Sequence, residues 1–186
     1  MQTVSIKELM VPLDEYATVS NDATLADAIQ ALDHAQETYC QNKYRHRAIL
    51  VLDTNPQPIG KISQIDALRA LEPKYKEIQN QDTRGAFRHF SRMFLNSMIE
   101  YDRLFDGSLE DLRKKAANIH VRDFMHTLSA DECVSEDSRL DEAIHLLVMG
   151  HQQSLLVRWD DKIVGILRLT DVFSAVLQPL MSPARV

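Results

Sequence analysis

The sequence predicts an α+β (α/β) fold built from two copies of one β-α-β-β-α unit, related by pseudo-two-fold symmetry, with a helical insertion between them. Three observations predict it. The segment Val19–Ile29 returns as Val134–Ile144, identical at six of eleven positions (Val, Ser, Asp, Leu, Ala, Ile) with a constant offset of 115. The stretch Ile59–Leu71, IGKISQIDALRAL, is echoed at Val164–Val176, VGILRLTDVFSAV, where Gly165 and Asp171 answer Gly60 and Asp66 at an offset of 105. Between the copies, apolar side chains from Phe87 to Phe105 recur at steps of three and four.

The elements follow in chain order. Ser5–Met10 makes one short helical turn that Pro12 stops. Thr18-Val19-Ser20 is a brief extended piece. Asp22 or Thr24 then caps a helix whose Leu25, Ala28, Ile29 and Leu32 share one face. Ala48–Leu52, AILVL, is a buried strand, and Asp53–Pro58 a turn, because two prolines and an asparagine cannot continue a ladder. Ile59–Ser63 returns as a strand, and Gln64–Leu71 closes the unit as a helix that Pro73 ends. In the second copy Val121–Met125 matches Ile6–Met10, Leu155–Val157 is the first core strand, Asp160-Asp161-Lys162 the hairpin turn and Ile163–Arg168 the return. The two offsets differ by ten, so the first copy carries about ten extra residues, mostly within His34–Arg47.

These assignments place the repeats at 1–71 and 119–177, the insertion at 72–118 and a tail at 178–186. The insertion reads as one long amphipathic helix through Phe87, Phe90, Phe94, Met98, Tyr101 and Phe105, stopped at Gly107, and a shorter helix from Ser108 to about Asn118. The aromatic stripe is expected to pack on the duplicated core or on a second subunit.

Composition narrows the function. A net charge of -6 argues against broad, sequence-independent binding to nucleic acid or to an anionic membrane. No apolar run is long enough to span a bilayer, and the start MQTVSIKELM has no basic-then-apolar leader, so no membrane insertion is expected. Two cysteines, Cys40 and Cys133, form no disulfide framework, which points to a reducing cytoplasm. The seven histidines contain no HExxH, and neither a GxSxG elbow nor a Walker A loop is present; the chain is expected not to be an enzyme and to hold no metal.

The chemistry sits at the two strand-to-helix junctions. Gly60 and Gly165 lack a Cβ and so admit another backbone or a flat ligand. Asp66 and Asp171 stand six residues later, in the first turn of a helix, where unpaired N–H groups and the positive dipole end favour anionic oxygens. Ser63 and Asp66 also have the spacing of a capping box, so a purely structural role stands beside a binding one.

A duplicated β-α-β-β-α unit with a Gly-x-x-Ser/Thr-x-x-Asp junction resembles the CBS domain, and the pair resembles a Bateman module. The resemblance covers Ser5–Leu71 and Ile119–Leu177 and rests on three coincident features: the V-S-x-D-x-x-L-x-x-A-I segment, the hairpin and the junction motif. It implies a non-catalytic regulatory module that needs no resident cofactor and binds AMP, ADP, ATP or S-adenosylmethionine in clefts between the copies. It also implies a homodimer acting on a regulated protein partner. Carried over onto this sequence, Asp66 takes the ribose hydroxyls, for which a two-oxygen carboxylate is suited, and Ser63 a ribose or phosphate contact, beside Gly60. The base would lie in a slot formed by Thr18, Val19, Ile49 and Leu50. The second junction keeps Gly165 and Asp171 but has Arg168 in the hydroxyl position and Thr170 just before the aspartate. Arg168 either pairs with a phosphate or fills the cleft by pairing with an acid. Arg45 and Arg47, in the basic run Lys43–Arg47, either form a solvated loop or stand over ligand phosphates. The rival function is a ligand-free dimerisation or scaffolding module that works through the helical insertion.

Overall fold

The computed structural model describes residues 4–38, 45–76 and 92–181. The first repeat contains α1 (Ile6–Leu9), β1 (Val11–Pro12), β2 (Thr18–Ser20), α2 (Leu25–Thr38), β3 (Ala48–Leu52), β4 (Pro58–Ser63) and α3 (Gln64–Leu71). The insertion contributes α4 (Arg92–Asp102) and α5 (Leu109–Asn118). The second repeat supplies β5 (His126–Thr127), β6 (Cys133–Ser135), α6 (Leu140–Met149), β7 (Ser154–Trp159), β8 (Lys162–Arg168) and α7 (Leu169–Met181).

Two four-stranded sheets result, ordered β2-β3-β4-β5 and β1-β8-β7-β6. Each contains one strand from the other repeat. β1 lies antiparallel on β8 (Val11 opposite Ile166), and β5 lies antiparallel on β4 (Gly60 opposite Thr127). The exchange extends to the cores. Ile6, from the start of the chain, is buried with Val134, Leu147, Leu155 and Leu167 of the second repeat. Its counterpart Val121 is buried with Ala28, Ile49, Val51 and Ile62 of the first. A third cluster, Val11, Tyr16, Leu50, Leu156 and Ile166, joins the two sheets. Because each repeat completes the other's core, neither half buries its apolar surface alone.

The expected strands and closing helix lie where the pattern puts them: AILVL forms β3, the return strand gains only Pro58, and α3 covers Gln64–Leu71. Thr24, not Asp22, caps the helix that follows β2, exchanging hydrogen bonds with Asp27 (2.7 Å from Oγ1 to Oδ2). Ile29 departs from the expected buried face and is 45% exposed, while Leu25 and Ala28 are fully buried. α2 has 14 residues against 10 in α6, so part of the extra length of the first copy is another helical turn.

The insertion differs from the expectation of one helix ending at Gly107. α4 stops at Asp102, and Phe105 lies in the following turn at φ 55, off the helix. The turn is held from outside. Buried Glu72 accepts the Phe105 N–H at 2.8 Å, and the Phe105 ring tilts against Tyr75 with centroids 6.1 Å apart. Tyr101 is 90% exposed, so this part of the stripe does not pack on the duplicated core. Phe87 and Phe90 fall outside the described residues. Ser108 caps α5 as expected, with a capping box to Asp111.

Candidate functional site

β4 alternates between faces. Gly60 and Ile62 are buried within the repeat, while Lys61 and Ser63 face the other way and line a cleft shared with the second repeat. At Ser63 the strand becomes α3. The Ser63 hydroxyl donates to Asp66 Oδ2 at 2.6 Å, the Ser63 N–H donates to the same oxygen at 3.0 Å, and the Asp66 N–H returns a bond to Ser63 Oγ at 3.2 Å. Among the described residues, the contact at Asp66 Oδ1 is an ion pair with Arg69 at 3.7 Å. The carboxylate therefore keeps acceptor capacity on one oxygen.

Capping hydrogen bonds alone do not distinguish this pair. Ser5–Glu8, Thr24–Asp27 and Ser108–Asp111 make the same box. Position does distinguish it: Ser63 and Asp66 line a cleft of about 550 Å3 between the repeats, within the range that holds a small organic ligand.

One wall of the cleft is cationic. Arg45 and Arg47 are exposed into it, while His46 between them is fully buried, the alternation expected of an extended segment. The buried side is anchored. The His46 ring stands edge-on to Tyr16 with centroids 4.3 Å apart, Gln36 donates to the His46 carbonyl, and the backbone at Ala48 and Arg47 hydrogen-bonds the Tyr16 oxygen. Burial pushes the Tyr16 phenol up to about 12, against the opposing pull of Arg168. Burial, and then the positive charge of Arg168, push His46 down to about 4, so the ring is neutral at neutral pH.

The second junction is closed on itself. Arg168 lies side-on to Asp171, with Nε 2.5 Å from Oδ2 and Nη2 2.8 Å from Oδ1. The two side chains are 5% and 16% exposed. Of the two roles open to Arg168, this geometry is pairing with an acid, and both carboxylate oxygens are engaged. Thr170 and Arg168 line the cleft; Asp171 is not among its lining residues.

A charged clasp crosses the floor. Lys61 Nζ lies 2.5 Å from Glu132 Oε1 and 3.4 Å from Gln152 Oε1; Glu132 Oε2 lies 3.1 Å from His126 Nε2 and accepts the Ser129 N–H. Burial works to raise the Glu132 carboxyl, but the Lys61 bond and charge, Ser129 and His126 together hold it below the usual carboxylate range. Sequence reading missed this clasp. Its one legible signal was period two on β4, which puts Lys61 on the same face as Ser63.

The structure places the other expected residues elsewhere. Gly60 is turned away from the cleft. A Cβ there would stand 2.5 Å from Met125 Sδ and 3.2 Å from the His126 carbonyl, so the close neighbour is the exchanged strand, not a ligand. Gly165 repeats this against Met10 and the Val11 carbonyl. Thr18 and Val19 pair in register with Leu50 and Val51 inside the sheet. Ile49 and Leu50 are buried in two different core clusters, so these four do not form an open slot in the cleft. Among the described residues no group of histidine, cysteine and acidic side chains has metal-ligating geometry, and no helix is long and apolar enough to cross a membrane.

A CBS domain model matches residues 6–73 and 121–178, well over half of the chain. This chain belongs to the CBS-domain family. The two matches are the two repeats, so it is a tandem CBS pair, and the matched model indicates no catalytic family. Solved CBS-pair structures share the fold. CBSX2 from Arabidopsis thaliana superposes with a TM-score of 0.60 at 20% identity, covering 98% of this chain and 100% of that one. A structure of CBSX2 in complex with AMP gives 0.57 at 21% identity, over 95% and 98%. The CBS domain of a membrane protein from Sphaerobacter thermophilus gives 0.60 at 17%, over 93% and 88%. No curated protein sequence matches significantly.

Proposed function

We propose that this CBS pair is a non-catalytic sensor that takes an adenosyl ligand, AMP, ADP or ATP, in the cleft between its repeats. One observation carries the reading: the Ser63–Asp66 junction, with an under-used carboxylate oxygen, opens onto the same cleft as Arg45 and Arg47. A carboxylate suits a vicinal diol, and guanidinium groups suit phosphate oxygens. A CBS-pair neighbour of the same fold has been crystallised with AMP. The cleft is walled by both repeats, so a bound ligand acts on the contact between them, and the output passes through a partner protein or a second copy of the chain in the cytoplasm. Exposed Leu68 on α3 and Phe173 on α7, at equivalent positions of the two repeats, favour self-association.

Calorimetry with AMP, ADP, ATP and S-adenosylmethionine on the wild type and on Asp66→Ala tests the proposal. Saturable binding of an adenine nucleotide that Asp66→Ala weakens at least tenfold supports it. Absence of binding at millimolar concentrations of every ligand overturns it in favour of a scaffold, whose exposed Met93, Ile99 and Tyr101 on α4 would then be the working surface.

A further inference from the structure

The two halves of the cleft are not equivalent, although the fold that builds them is. The register pairs Ala48 with Ser63 in one hairpin and Ser154 with Arg168 in the other. The segments leading into β3 and β7 are thereby aligned, so Arg45 and Arg47 of the first repeat correspond to His151 and Gln153 of the second. All four line the cleft. The first wall therefore carries two guanidinium groups where the second carries an imidazole and an amide. At the junctions, the position held by Ser63 is held by Arg168. Asp66 leaves Oδ1 with an ion pair at 3.7 Å, whereas Asp171 has both oxygens bonded to one buried guanidinium.

We propose that the cleft holds a single adenosyl ligand per chain, on the Ser63–Asp66 side, and that Arg168 is the built-in occupant of the other half. Its Nε–H and Nη2–H donate to the two oxygens of Asp171, as the two hydroxyls of a second ligand's diol would otherwise do. A guanidinium presents two parallel donors at a spacing that matches a carboxylate, so a diol has to displace a buried, charge-assisted pair before it can bind. Toward its phosphates this side offers the His151 imidazole and the Gln153 amide in place of the two permanently charged guanidinium groups of Arg45 and Arg47. This inference rests on the reading of the cleft as a nucleotide site.

Arg168→Ser is the decisive variant because it does not orphan the acid. It recreates at positions 168 and 171 the Ser-x-x-Asp spacing that forms the capping box at 63 and 66. Calorimetry and equilibrium dialysis of the full chain with AMP and with ATP read the stoichiometry. A single ligand per chain for the wild type, lost in Asp66→Asn, together with a second binding event in Arg168→Ser that disappears in Arg168→Ser/Asp171→Asn, is the expected result. Two ligands on the wild type overturn the proposal, as does a single site that survives Asp66→Asn. A folded Arg168→Ser with one site overturns the role of Arg168. If Arg168→Ser melts early, the wild-type stoichiometry and its response to Asp66→Asn still decide. Binding by neither protein overturns the underlying nucleotide reading instead, a distinct outcome.

Discussion

Lys61 Nζ and Glu132 Oε1 meet at 2.5 Å across the boundary between the repeats, with side chains only 16% and 4% exposed. At the equivalent place on the other sheet the pair is replaced by apolar packing, where Ile166 is buried with Val11. The Lys61 position is thus charged and the Ile166 position apolar. Because Glu132 is buried, Lys61→Met leaves a carboxylate without its main partner, which costs about 3–5 kcal/mol by the usual penalty for breaking a buried pair. Urea denaturation should show Lys61→Met less stable than Lys61→Met/Glu132→Leu, in which no buried charge is left behind. The folded state holds the Glu132 carboxyl below its unfolded value, so its stabilisation is full above the ordinary carboxylate range and is lost as pH falls through the lowered one. Glu132→Gln should flatten that acid limb.

His46 gives a second pH dependence at higher pH. Burial and the neighbouring Arg168 charge hold the ring neutral down to about 4, while in the unfolded chain it protonates near 6.5. A base whose folded value is depressed binds its proton first in the unfolded state. Stability therefore falls as pH drops from about 6.5 toward 4, by roughly 3 kcal/mol over the window. Thermal melts between pH 7 and 5 should show the decline, and His46→Phe should remove it. NMR titration of His46 in Arg168→Ser should show a higher value than in the wild type, because the second-largest cause of the depression is gone.

What was legible in the sequence was what the chain encodes locally. The duplication, the strand AILVL, the start of α3 at Ser63 and that of α5 at Ser108 all follow from periodicity and caps. What was not legible is set by the other repeat. Val11–Pro12 and His126–Thr127 are too short to show any period, and they are strands only because β8 and β4 offer edges to them. The end of α4 was missed because a residue distant in sequence sets it: the apolar steps run on to Phe105, but Glu72, 33 residues earlier within the insertion, takes the Phe105 N–H and fixes the turn. At the candidate site the Ser63–Asp66 junction was readable, whereas the role of Lys61 depended on Glu132 and Gln152, which only the folded chain brings near.

The two junction glycines should differ in how much they tolerate alanine. At Gly165 the added Cβ would meet the Val11 carbonyl at 2.6 Å, and backbone in an exchanged strand cannot step aside. At Gly60 the nearest atom is Met125 Sδ at 2.5 Å, the movable part of a flexible side chain, with the His126 carbonyl further off at 3.2 Å. Gly165→Ala should cost more than Gly60→Ala, with overpacking penalties of about 1–3 kcal/mol as the scale. Met125→Ala should partly rescue Gly60→Ala, whereas Met10→Ala should leave Gly165→Ala unrescued. Chemical denaturation of the four variants checks the order.

Arg45 and Arg47 make the last prediction, because their effect depends on the ligand's charge and not on its base. If their guanidinium groups face ligand phosphates, affinity should rise from AMP to ADP to ATP, with each added phosphate increasing the Coulomb term. Arg45→Ala/Arg47→Ala should compress that series, lowering ATP affinity by at least tenfold and AMP affinity by less. Both side chains are exposed, so the preference should also shrink as salt rises and the screening length falls to about 8 Å near 0.15 M. Asp66→Ala should behave differently, weakening all three nucleotides by a similar factor with little change in salt dependence, since the ribose is common to them. Titrations of the three nucleotides at low and high salt separate the two contributions. An ATP-to-AMP ratio that is unchanged in the double arginine variant would place the phosphates away from this wall.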